Sequence, residues 1–86
     1  MKRFWYYVAQ ITTEKWVITY EGYVGHSDGF FPIKAAKLQA VDYAGIPAEE
    51  IPTNNDRKIF LPNTCILNQI EVTESEFNAW KIAAKF

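Results

Sequence analysis

The chain's 86 residues carry nine Lys plus Arg against ten Asp plus Glu, a formal charge of −1, so no long-range field gathers nucleic acid or anionic lipid, and a general polyanion binder is disfavoured. The single cysteine, Cys65, excludes an internal disulfide and a cysteine-based zinc cluster. A length of this order makes one domain, residues 1–86, that buries only roughly 60–65% of its unfolded surface, so its core must come from a few large side chains.

Those side chains are abundant. Phe, Trp and Tyr make up 16% of the chain, each able to bury on the order of 150–250 Å², enough for a core without metal or disulfide. Lys2-Arg3 is followed by apolar residues, but Gln10 and Thr12 to Lys15 end that run far short of the ~20 residues a membrane span needs. With no signal-like segment and no cysteine framework, the expected location is cytoplasmic, with no membrane partner.

Arg3 to Ile11 and Trp16 to Val24 are rich in aromatic and β-branched residues and flank Thr12-Thr13-Glu14-Lys15, a β-hairpin pattern. A four-residue connection places Ile11 opposite Trp16. Alternation then puts Trp5, Tyr7, Ala9 and Ile11 on one face with Trp16, Ile18, Tyr20 and Gly22, an almost wholly apolar set that reads as core. The other face is mixed, with Phe4, Tyr6, Val8 and Gln10 opposite Val17, Thr19, Glu21 and Tyr23.

His26-Ser27-Asp28-Gly29 has turn composition, with Gly29 available for a positive φ. Phe30-Phe31 reads as a short third strand and Pro32 as the first position of a helix running to about Ala44, with Gly45 as its stop. Ile33, Ala36, Ala40, Tyr43 and Ala44 fall on one stripe, whose alanines would let the helix lie close on an aromatic sheet. Residues 46–63, punctuated by Pro47, Pro52 and Pro62, form a long connection in which Lys58 to Leu61 reads as a short strand. Cys65 to Val72 reads as a further strand. Thr73-Glu74-Ser75-Glu76 is a capping box that opens a helix from Glu74 to about Lys85, with Phe77, Trp80 and Ala84 as its apolar stripe.

The expected fold is α+β: a small antiparallel sheet, made of the N-terminal hairpin and one to three further short strands, packed against two helices in the order β-β-(β)-α-(β)-β-α. No repeat or low-complexity segment interrupts it.

Few residues offer chemistry. His26, Asp28 and Cys65 are the set from which a nucleophile, base and orienting carboxylate would be assembled, though turn capping by Asp28 and apolar burial of Cys65 explain them more simply. One histidine and one cysteine cannot fill a structural zinc site without two carboxylates, and no loop has calcium-binding spacing. No cofactor is implied. Gly22, Gly25 and Gly29 match neither the dinucleotide fingerprint nor the P-loop. Glu49-Glu50 fits a short solvated turn, and Glu74 and Glu76 fit helix capping.

The mixed hairpin face has more substance. Phe4, Tyr6, Glu21 and Tyr23 form the candidate protein interface, since aromatics flanked by polar groups dominate interface energetics. The same aromatics could stack bases, with Lys2, Arg3, Lys15, Arg57 and Lys58 on phosphates, although the net charge argues against a basic groove. The alternative is that the second helix covers this face and makes it core. The leading expectation is a non-enzymatic module that binds a protein, a class that includes small interaction proteins of phages and other mobile elements. Nothing in Arg3 to Ile11 blocks pairing by that strand, so a homodimer is also expected as a form of such binding. Single-stranded nucleic acid and an enzyme using His26, Asp28 or Cys65 are the alternatives.

Overall fold

The computed structural model describes residues 2–26 and 29–83. Strand β1 (Arg3–Thr12) and strand β2 (Val17–His26) form the hairpin, helix α1 spans Ile33–Tyr43, strand β3 covers Thr64–Val72, and helix α2 spans Glu74–Ala83. The three strands make one antiparallel sheet in the order β2-β1-β3. The fold is therefore α+β with element order β-β-α-β-α, and no helix among the described residues is long and apolar enough to cross a membrane.

The hairpin register differs from expectation by two residues, with Ile11 opposite Ile18 rather than Trp16. Thr13 is the cause. Its hydroxyl accepts from the amides of Lys15 and Trp16, both at 3.3 Å, and its own amide donates to the Trp16 carbonyl. The loop is thus closed over Thr13–Trp16, one residue later than the composition suggests. Because a two-residue shift preserves alternation, the faces survive: Trp5, Tyr7, Ala9 and Ile11 still share a side with Ile18, Tyr20 and Gly22, joined by Val24.

On that side α1 lies across the sheet. Tyr7 and Ala9 are buried against Ala36 and Ala40, with Tyr20, Val24, Phe31 and Ile66 around them, and the Tyr7 hydroxyl donates to the Ala36 carbonyl at 3.0 Å. The alanine stripe permits this close approach. A second cluster joins Ile11, Val41, Ile46 and Phe60. It draws in Val41, absent from the expected stripe, while Ile33 and Tyr43 are exposed. Ile33 belongs to the first turn, beside β3, and Tyr43 lies at the edge of the stripe, away from the Val41 side that the second cluster holds.

Three further expectations are corrected. Phe30-Phe31 forms no strand, because Gly29 turns the chain at φ 81° and the Phe31 ring packs edge-on against Trp5 and Tyr7, both at 5.8 Å. Pro32 is the residue before α1 rather than its first helical position. Lys58 to Leu61 lies within a 3₁₀ helix, Arg57–Asn63, which starts where the Asp56 carboxylate accepts from the Lys58 amide at 3.0 Å. Phe60 anchors that helix in the core, and the Thr64 hydroxyl donates to the Phe60 carbonyl at 2.8 Å. The 46–63 segment is thereby tied down rather than looping freely. Its Glu49-Glu50 pair sits in a 3₁₀ turn, Ala48–Glu50. Gly45, at φ 69°, ends α1 in the left-handed conformation that glycine adopts most readily.

The opposite face of the sheet is met by α2. Its capping box forms: the Thr73 hydroxyl accepts from the Glu76 amide at 3.2 Å and donates to the Glu76 carboxylate at 3.1 Å. Phe77 and Trp80 point at the sheet. The expected third member of that stripe, Ala84, lies outside the described residues, as does Asp28.

Candidate binding surface

Alternation from the observed register puts Phe4, Tyr6, Val8 and Gln10 on the α2 side, with Tyr23, Glu21 and Thr19 from β2 and with Val72, Ile70, Asn68 and Cys65 from β3. Helix α2 covers one end of this face. The Phe77 ring lies 4.7 Å from Phe4, and Trp80 lies 5.5 Å from Tyr23. Phe4, with only 6% of its surface exposed, is therefore core. Tyr6 is half-buried, with its ring 5.3 Å from Tyr23 and its hydroxyl donating to the Glu21 carboxylate at 3.0 Å. That bond to an anion raises the Tyr6 pKa. Of the four candidate interface residues, Tyr6, Glu21 and Tyr23 remain at the surface as one cluster beside α2, and Phe4 does not join them.

The cations do not gather at that cluster. Arg3 forks onto Glu71 with two bonds of 2.7 Å and donates to the Gly29 carbonyl at 2.6 Å. This pairing raises the Arg3 pKa and lowers that of Glu71. Lys2 sits 5.7 Å from the Phe4 ring, and Lys15, at the far hairpin turn, is 3.9 Å from Glu50. Arg57 and Lys58 belong to the 3₁₀ helix packed on the α1 side.

His26 and Cys65 are also kept apart. His26 pairs with Arg3 and Cys65 with Gln10, so seven residues of β1 separate them, roughly 23 Å at about 3.3 Å per residue. They lie on opposite faces of the sheet. Among the described residues, no group of three or more His, Cys, Asp or Glu side chains is placed to hold a metal ion.

The uncovered edge of the sheet lies elsewhere. β1 is the central strand, hydrogen-bonded on both sides, so it offers no free edge of the kind expected for Arg3 to Ile11. The sheet's edges are β2 and β3. β3 is mostly exposed along its length, and Leu67 and Ile70 are 55% and 53% exposed. Beside it, Ile33 of α1 is 55% exposed. Ile33 forms the common wall of two shallow depressions. One, of about 370 Å³, is lined by Ile66, Leu67, Asn68 and Gln69, and the other, of about 470 Å³, by Lys34, Lys37, Leu61 and Pro62.

The sequence held one sign of this edge. Ile66-Leu67 breaks the alternation of the strand, and the structure places a bulge there, shifting the register between Val8 and Ala9. A bulge supplies an extra residue that the ladder leaves unpaired, and Leu67 is that residue. The fold and its open edge define a small α+β domain with an uncovered strand-and-helix groove. Compared with family models, curated proteins and solved structures, the chain has no significant match.

Proposed function

We infer that the chain is a non-catalytic protein-binding module whose working surface is the β3 edge with the adjoining α1 groove. The observation that carries this reading is the juxtaposition of a strand with one unpaired edge and two large apolar side chains, Ile33 and Leu67, each more than half exposed. Strand edges present a row of free amide and carbonyl groups, and proteins ordinarily blunt them with charge, proline or cover. Within β3 the one charged residue is Glu71, and Arg3 holds it. An edge of this kind recognises an extended segment by main-chain hydrogen bonds, while neighbouring pockets select its side chains.

Two observations weigh against the base-stacking alternative: the Phe4 and Tyr23 rings already pack against Phe77 and Trp80, and the cations are dispersed. The separation of His26 from Cys65 weighs against a thiol enzyme built on that pair. Self-association is a second reading, favoured by the same edge.

The test is a selection of random displayed peptides on the whole chain and on Leu67→Arg, a substitution at an exposed site that leaves the core intact. Enriched peptides that bind the wild type and lose binding to Leu67→Arg support the reading. No enrichment, or equal binding to both proteins, contradicts it.

A further inference from the structure

We propose that the segment received at the β3 edge is an extended, acidic one, its apolar side chains entering the Ile33–Leu67 depression and its carboxylates meeting Lys34 and Lys37. This rests on the binding reading above and adds the chemistry of the partner. The groove is one-sided in charge. Its two depressions are lined by two lysines and by no carboxylate, and the first turn of α1 contains no acidic residue. Neither lysine makes an ion pair among the described residues. The one cation of β1 behaves differently, since Arg3 is neutralised by Glu71.

A strand laid along β3 would place alternate side chains on the α1 side of the sheet, because side chains alternate across a strand. There they meet Ile66, Leu67 and Ile33, and beyond these the lysines. The positions facing α1, every second residue of such a segment, would carry its apolar and its acidic side chains in turn, and basic residues there would be disfavoured.

The same charges argue against a second copy as occupant. Pairing β3 with β3 of another chain is isologous, so each groove would receive what its own edge offers. That edge supplies Cys65, Ile66, Leu67, Asn68, Gln69 and Ile70, and its only carboxylate, Glu71, is already bonded to Arg3. Lys34 and Lys37 of both copies would be left without a counter-charge.

The experiment titrates the isotopically labelled full chain with three blocked nine-residue peptides and follows amide shifts; every second residue is threonine, and the positions between, which share one face, are valine in turn with glutamate, with lysine or with threonine. The expected result is binding of the glutamate peptide, with shifts confined to residues 64–72 and 33–37, and little response to the lysine peptide. Lys34→Glu with Lys37→Glu should weaken the glutamate peptide about tenfold and strengthen the lysine peptide. Equal binding of all three at β3 would overturn the acidic partner while leaving the edge reading standing. Shifts elsewhere, or none at millimolar peptide, would overturn both. A doubled solution mass with β3 amides already shifted by dilution would identify a second copy as the occupant and overturn the proposal.

Discussion

Phe4 on β1 stands directly opposite Gly25 on β2, and its ring fills the space a side chain there would need: a methyl group on Gly25 would lie 2.9 Å from the nearest Phe4 ring carbon. The ring cannot easily yield, because Phe77 holds its other side at 4.7 Å. Gly25→Ala should therefore destabilise the domain by about 1–3 kcal/mol, the usual cost of overpacking. Urea unfolding measures it. Combining Gly25→Ala with Phe4→Leu should cost less than the sum of the two single changes, since the smaller side chain leaves room for the methyl.

Tyr7 ties the sheet to α1. Tyr7→Phe removes the hydroxyl bond to the Ala36 carbonyl and should cost about 1 kcal/mol. Burial raises the Tyr7 pKa in the folded state, with Tyr20 adding to the shift. The associated stability is present below the unfolded-state pKa of about 10 and is lost as pH rises above it, because the unfolded chain ionises first. Wild type should thus lose stability faster than Tyr7→Phe between neutral and strongly alkaline pH. Parallel curves would contradict burial of that hydroxyl.

Helix α2 is held to the sheet by Phe77 and Trp80. Phe77→Ala should cost about 1–3 kcal/mol, less than a fully buried phenylalanine, because Phe77 is only partly enclosed. It should also expose Trp80 and shift tryptophan emission to longer wavelength before global unfolding. Unchanged emission would mean that α2 docks without Phe77.

Much of this architecture is legible locally. The capping box at Thr73 marks the start of α2, Gly45 marks the stop of α1, and the hairpin faces follow from alternation even though the register is displaced by two residues. What is not legible depends on partners far away in sequence. That β1 is central depends on β3 arriving some fifty residues after β2 begins, which no local pattern encodes. The fate of Phe4 was open until α2 placed Phe77 over it. Val41 faces inward because Phe60 and Ile46 meet it, and Phe60 can do so only because Asp56 starts a 3₁₀ helix in a stretch whose composition resembles a strand. The exposed edge at Leu67 was signalled by a broken alternation, but its importance appears only with Ile33 beside it.

The most direct test of the binding account is amide hydrogen exchange along β3, measured residue by residue on the dilute chain and again with the glutamate–valine peptide bound. In the free chain, alternate amides of residues 65–72 should exchange much faster than those of β1, and they should gain protection when the peptide binds. Full protection of β3 in the free monomer, or no change in these amides on binding, would contradict the claim that this edge is the docking strand.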